Sequence, residues 1–159
     1  MTFTLTSNDL TDGGVLPDAQ VKARGDTSPH LKWSGAPEGT KSYAVTCFDP
    51  DAPTGSGFWH WTVANIPADV TELAAGASAR AMPAGSVEGR TDYGPSRFGG
   101  AAPPPGHGPH RYVFTVYAVD VEHLDLTPDS SGAFFGFNMH FHALAEAKIT
   151  CTYENTGQG

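Results

Sequence analysis

At 159 residues the chain is sized for one domain spanning 1–159, long enough to bury a core without help from a disulfide or a metal. Its 9 basic against 17 acidic residues, net −8, exclude nucleic acid as a main partner and argue against a general affinity for anionic membrane surfaces, because both select for Lys and Arg. A small anion held by local donors stays compatible with that balance.

The N-terminus, Met1-Thr2-Phe3-Thr4-Leu5, has no basic segment followed by a long apolar run, so neither a signal peptide nor a transmembrane span is expected and the cytoplasm is the default location. Phe3, Leu5 and Ser7 alternate with threonines and predict an opening strand. Asp12-Gly13-Gly14 is a turn. Residues 28–35 read as a short strand with Leu31 and Trp33 on one face. Lys41 to Asp49 and Phe58 to Ile66 are strands running in opposite directions, with Pro67 ending the second. From Ala74 to Pro109 glycine and proline dominate and regularity is lost. One short strand or helical turn is expected near Gly85 to Arg90, since a long structureless loop in a compact domain is usually functional.

His110 to Val121 is apolar on both faces, as in a strand inside a sheet covered on both sides. Phe134, Phe137, Phe141 and Leu144 recur at helical spacing, and Ala143, Ala145 and Ala147 favour helix. One substantial helix is therefore predicted, with this stripe packed on the sheet, followed by a closing strand from Ile149 to Tyr153. The class is mostly β with one C-terminal helix. Cys47 and Cys151 follow no metal-ligand or redox spacing, and Cys47 reads as a small core residue.

The candidate site starts at Asp49-Pro50-Asp51-Ala52-Pro53, two carboxylates on a backbone stiffened by two prolines at a strand end. Strand parity places Tyr43, Val45, Cys47 and Asp49 on one face, Phe58, His60, Thr62 and Ala64 on another, and His110, Tyr112, Phe114 and Val116 on a third. If the three rows share a layer, Asp49, His60, His110 and Tyr112 converge, with imidazole and phenol donors for an anion and a carboxylate favouring charged histidine. Taken singly, His60 and His110 each read more readily as a satisfied structural residue than as a ligand. Asp51 reads as a turn former, and Trp59 and Trp61 as a core pair on the face away from His60. His140 and His142 lie about 200° apart on a helix and cannot share a metal there. The sequence holds no Gly-x-Ser-x-Gly elbow, P-loop or Gly-x-Gly-x-x-Gly fingerprint.

These segments resemble the phosphatidylethanolamine-binding protein (PEBP) family, nearest its bacterial, Raf-kinase-inhibitor-like branch. The resemblance is carried by Asp49-Pro50-Asp51-Ala52-Pro53, His60-Trp61 leading to Val63-Ala64-Asn65-Ile66-Pro67, Pro103-Pro104-Pro105-Gly106 and His110-Arg111-Tyr112, supported by residues 28–35 with Pro37 and by Gly89-Arg90-Thr91-Asp92-Tyr93-Gly94. It implies a PEBP-like fold: a central antiparallel sheet, a smaller second sheet and peripheral helices. It also implies a pocket for phosphate, phosphoethanolamine-like head groups or acetate. By motif position Asp49, Pro53, Phe58, His60, Pro103, Pro104, His110 and Tyr112 line that pocket, and Asp51 supports its loop or accepts a ligand ammonium. Three departures stand out. Ala101-Ala102 replaces a common Pro-Cys or Pro-Gly and bears on the loop's amide donors. Thr91 replaces a common Asn. No long extension follows Tyr153 to supply a gating helix.

The leading reading is a non-catalytic binding protein for a small anionic ligand, needing no cofactor. Two others stay open. One is a regulatory inhibitor of a kinase or protease through the pocket rim. The other is a hydrolase using His60 and Asp49, with two His and one Asp as a possible zinc set. Relatives in the bacterial branch suggest a homodimer, and Phe134 and Phe135 are candidates for its surface.

Overall fold

The computed structural model describes residues 2–157. Two antiparallel sheets pack face to face. The smaller contains β1 (Thr4–Thr6), β2 (Leu31–Ser34) and β5 (Glu72–Leu73) in the order β1-β2-β5. The larger contains β3 (Ser42–Asp49), β4 (Phe58–Pro67), β6 (Val87–Glu88), β7 (His110–Val119) and β8 (Ala143–Tyr153) in the order β6-β4-β3-β7-β8. The short strand or helical turn expected near Gly85 to Arg90 is a strand, β6, paired on the edge of β4 through Val63 and Ala64. The fold is mostly β with one α-helix, α1 (Gly132–His142), and a turn of 3₁₀ helix at Asp18–Gln20. No helix among the described residues is long and apolar enough to cross a membrane.

Alternation explains how one sheet serves two cores. Tyr43, Val45 and Cys47 point toward the small sheet and meet Leu5, Leu31, Trp33 and Leu73. Ala44 and Ala64 point the other way and meet Phe135 and Met139 of α1 with Leu124 and Leu126. β3 lies at the centre, between β4 and β7, and is buried along nearly its whole length.

Two expectations fail in the C-terminal third. The stripe Phe134, Phe137, Phe141 and Leu144 does not pack on the sheet. It faces solvent, with Phe137 60 % exposed, while Phe135 is 1 % exposed and sits under the helix with Met139. Gly132 fixes this orientation. A Cβ on Gly132 would lie 2.2 Å from the Trp59 ring, so the glycine-bearing face alone can come this close to the sheet. The stripe covers itself in part, Phe137 stacking on Phe134 at 6.5 Å and meeting Phe141 edge-on at 5.1 Å.

The second failure is Ala143 to Ala147, read as helix and found as strand. α1 stops at His142, where the ring Nδ1 bonds Asp120 Oδ1 at 2.9 Å and the carbonyl accepts from the Asp120 amide at 3.0 Å. From there the chain pairs with β7, Val119 opposite Ala143, then after one irregularity at Leu144 in steady register from Ala118 opposite Ala145 to His110 opposite Tyr153. Small alanines at 145 and 147 fit beneath the sheet beside Ile149 and Cys151, and eleven residues of ladder outweigh helix propensities of a few tenths of a kcal/mol each.

Candidate functional site

Antiparallel pairing brings three strand ends together. Cys47 lies opposite Phe114 and Phe48 opposite Val113, which places Asp49 at the end of β3 beside Tyr112 and His110 at the start of β7. On the other side Asp49 is opposite Phe58. Phe48 pairs with Trp59 but Cys47 pairs with Trp61, so His60 is an extra residue bulged out of the ladder. The bulge overturns the simple parity expected for β4. His60 keeps company with Phe58, its ring 4.9 Å away, and with Tyr112 at 5.3 Å. Trp61 returns to the inter-sheet core. Trp59 turns to the helix side against Gly132, and Thr62 and Ala64 follow it to that face. The two tryptophans therefore do not share a face.

A cavity of about 160 Å³ opens where these ends meet. Eight of the nine sequence-selected residues line it: Asp49, Pro53, Phe58 and His60 from β3, β4 and the loop between them, and Pro103, Pro104, His110 and Tyr112 from the later chain. Asp51 does not. Its carboxylate turns outward to Arg111, accepting from the backbone amide at 2.8 Å, from Nε at 3.0 Å and from Nη2 at 2.8 Å. That hydrogen-bonded guanidinium holds the Asp51 carboxyl down at about 2, and the pair fastens the Asp49–Pro53 loop to β7 rather than offering a carboxylate to a ligand.

Ala52, Thr54, Tyr93 and Ala102 also line the cavity and were not among the residues selected from the sequence as its lining. All four sit on loops, beyond the reach of strand parity. For Tyr93 the signal was present in the motif Gly89 to Gly94. Its ring packs edge-on against Phe58 at 4.7 Å and carries Lys22 over its face at 4.2 Å.

A chain of hydrogen bonds runs behind one wall. Asp49 Oδ1 accepts from the Asp51 amide at 2.7 Å, and Asp49 Oδ2 bonds His110 Nδ1 at 2.7 Å. His110 Nε2 in turn lies 2.6 Å from His107 Nδ1. Asp49 and His110 are both 2 % exposed, whereas His107 is exposed on its Gly/Pro loop. Both ring nitrogens of His110 are thus engaged within the chain. Asp49 and His110 direct their polar atoms at each other, and among the described residues no three His, Cys, Asp or Glu side chains are arranged to hold a metal ion.

The opposite wall has a different polarity. His60 Nδ1 lies 2.8 Å from the carbonyl oxygen of Gly99. A carbonyl only accepts, so Nδ1 carries the hydrogen and neutral His60 leaves Nε2 as a bare acceptor. Burial lowers the His60 pKa, the Gly99 carbonyl and the Asp49 charge opposing that shift more weakly, so the neutral form is the resting one.

The Gly99 carbonyl is itself held firmly. A Cβ on Gly99 would strike the Tyr93 ring at 2.4 Å, and one on Gly100 would lie 2.5 Å from the Gln20 carbonyl. Ala101 pairs with Gln20 and Lys22 through its amide and carbonyl, so that amide is not a pocket donor. Tyr93 Oη donates to the Gly100 carbonyl at 2.8 Å.

Tyr112 supplies the free group. It is 1 % exposed, it lines the cavity, and its Oη has no hydrogen-bond partner among the described residues. Burial first, and the Asp49 charge next, push its pKa far above the ordinary tyrosine value, so it stays a hydroxyl donor. Cys47, buried below in the core, has its thiol pushed well up by burial and by Asp49 and is no thiolate nucleophile.

The chain as a whole has known counterparts. The family model for phosphatidylethanolamine-binding protein matches residues 6–154. The UPF0098 protein YbhB of Escherichia coli (strain K12) is 53 % identical over 156 residues, covering 94 % of this chain and 98 % of its own. The UPF0098 protein YbcL of the same strain is 49 % identical, covering 96 % and 87 %. The crystal structure of Escherichia coli YbcL, described as a member of the mammalian PEBP family, superimposes with a TM-score of 0.94 over 97 % of this chain and 99 % of that one at 48 % identity. With the match spanning both sheets, α1 and every strand end that meets at the cavity, this chain belongs to the phosphatidylethanolamine-binding protein family.

Proposed function

We propose that this protein is a non-catalytic binding protein whose cavity takes the phosphate- or carboxylate-bearing head group of a small ligand. The observation that carries the reading is the Tyr112 hydroxyl, buried and unpartnered among the described residues on a side chain that lines the cavity. An orphan donor of this kind costs about 1–3 kcal/mol in the free protein, and an anionic oxygen recovers that cost on binding. At about 160 Å³ the cavity is well below the ~300–1,000 Å³ of sites that enclose drug-sized ligands, so it suits a head group rather than a whole lipid. Family membership supports a binding role.

Isothermal titration of phosphoethanolamine, phosphate and acetate into wild type and His60→Ala tests the assignment. Measurable binding that weakens in the variant is expected, and equal affinities would sink it. The proposal includes a cytoplasmic location and a homodimer in which the exposed Phe134, Phe137 and Phe141 stripe is covered by a second copy. Light scattering at micromolar concentration reads the latter, and a monomer mass would remove it.

A further inference from the structure

A second cavity, of about 230 Å³, lies away from the strand ends, where the segment between β5 and β6 meets the loop between β6 and β7. Two arginines line it, Arg80 from the first segment and Arg97 from the second. Neither guanidinium has an ion pair or hydrogen bond among the described residues. This sets them apart in a chain of net charge −8, where Lys22, Arg24, Arg111 and Lys148 are all paired with carboxylates. The only acid in the lining is Asp26. Its Oδ1 accepts from the Gly100 amide at 2.7 Å, and its Oδ2 lies 3.8 Å from Lys22 Nζ. The lining is therefore locally cationic on an acidic protein.

The two arginine-bearing segments are clasped together by Ser78. Its hydroxyl donates to Glu88 Oε2 and accepts from the Phe98 amide at 2.8 Å, next to Arg97. Glu88 also accepts from the Ala79 amide at 2.7 Å, next to Arg80. At the cavity wall Ser28, 2 % exposed, accepts from the Ser78 amide at 3.1 Å, and its own hydroxyl hydrogen has no acceptor among the described residues. Asp26 at φ 48° and Ala79 at φ 58° hold left-handed backbone there, a conformation that costs a non-glycine residue energy and persists where surrounding bonds enforce it. The cavity is thus fixed before any ligand arrives, which lowers the cost of binding one.

We infer that this second cavity binds a small dicarboxylate, one carboxylate to Arg80 and the other to Arg97. A guanidinium presents a planar fork of N–H donors that matches the two oxygens of a carboxylate. Two free forks on separate segments match two carboxylates on one molecule, and the Ser28 hydroxyl adds a donor at the wall. The head-group cavity does not compete for such a ligand, because it is smaller, at about 160 Å³, has no lining Lys or Arg, and carries Asp49. The inference stands on residues separate from those of that cavity.

The probe is succinate, titrated at low salt because exposed charges are screened. Its monomethyl ester, nearly the same size with one carboxylate, is expected to bind at least about tenfold more weakly, the size of one hydrogen bond to a charged group. Arg80→Gln and Arg97→Gln should each lower succinate affinity about tenfold or more. Arg97→Lys keeps the charge without the fork and should recover only part of that loss. Both arginines are exposed, so neither change removes core packing. Methyl phosphate, the probe of the head-group cavity, should bind Arg80→Gln as it binds wild type. Amide spectra locate the succinate and should shift at residues 78–80 and 97–100.

No succinate binding, equal binding of its monoester, or affinity that survives loss of both arginines overturns the inference. Shifts centred on His60 and Tyr112 do the same, by placing the dicarboxylate in the head-group cavity. Succinate binding that depends on both arginines upholds it even where methyl phosphate fails to bind, a result that removes the head-group reading alone.

Discussion

Tyr112→Phe separates what the pocket costs from what it does. The substitution removes one oxygen and leaves the ring, which is packed in the inter-sheet core at 1 % exposure. In the free protein that oxygen has no partner among the described residues, so its removal relieves a desolvation cost of about 1–3 kcal/mol. The opposing loss is small. A void of roughly 15 Å³ at ~24 cal/mol per Å³ costs about 0.4 kcal/mol, and less where it merges with an existing cavity. The variant should therefore be more stable by about 1 kcal/mol, which for a chain of this size raises Tm by about 2–4 °C. Binding should move the other way. A hydrogen bond to a charged oxygen contributes about 1.5–3 kcal/mol, so methyl phosphate affinity should fall by roughly 10–150-fold. Chemical denaturation and isothermal titration on the same preparation read both numbers. A variant destabilised by 1 kcal/mol or more means that the hydroxyl is satisfied in the free protein. Affinity within twofold of wild type removes Tyr112 from the ligand contacts. Either result refutes the reasoning.

Four further outcomes follow from the same structure. His107→Ala removes the partner of His110 Nε2, which is an acceptor while Nδ1–H is donated to Asp49, and should leave methyl phosphate affinity within about twofold; clear tightening, read by titration, would show that His110 turns a donor to the ligand. Asp51→Asn should cost about 1 kcal/mol or less at neutral pH in urea denaturation and leave phosphate affinity alone; because the Asp51 pKa falls from 3.8 to about 2 on folding, its contribution is present above pH 4 and lost as pH falls through about 2. His60 works in the opposite sense, since its pKa is lowered in the folded protein: below pH 6.5 the unfolded chain takes up a proton that the native state refuses, so stability falls by up to ~1.4 kcal/mol per pH unit, and His60→Gln should flatten that slope in denaturation curves taken from pH 7 to 5. Phe135→Ala should cost about 3–5 kcal/mol while Phe137→Ala costs under about 0.5 kcal/mol in the monomer, and comparable losses at both positions would contradict the orientation of α1.

Much of the fold was legible because alternation is a direct imprint of a half-buried strand. β3 and β7 could be read to within a residue or two, and β6 was placed inside an irregular stretch by the rarity of long structureless loops. The errors arose where two signals competed. Ala143 to Ala147 favour helix by propensity, yet Ala145, Ala147, Ile149, Cys151 and Tyr153 keep a strict period of two, and the period gave the truer reading. The Phe134, Phe137 and Phe141 stripe has helical spacing, but its spacing says nothing of which face can approach the sheet. Gly132 decides that, because Trp59 leaves no room there for a side chain. Asp51 was ambiguous between ligand and loop because its partner, Arg111, lies sixty residues away and pairs with it only once β3 and β7 are in register.

The bulge at His60 is the point where fold and site depend on one another most closely. Without the extra residue, β4 would carry Phe58, His60 and Thr62 on one face in regular alternation, and Trp61 would leave the inter-sheet core. With it, His60 joins Phe58 at the cavity and Trp61 still lies opposite Cys47, its ring edge-on to Phe98 at 5.6 Å. A bulge gives up a ladder pairing, and such irregularities concentrate where a side chain must be re-aimed. Here the re-aimed ring finds its Nδ1 partner in Gly99, on a segment whose glycines are required by the Tyr93 ring and the Gln20 carbonyl. The tautomer of His60 is thus set by a break in one strand and by two glycines nearly forty residues away. Strand parity applied to the sequence brings His60 near Asp49, but only the bulge and the Gly99 carbonyl show that the nitrogen left without a hydrogen is Nε2.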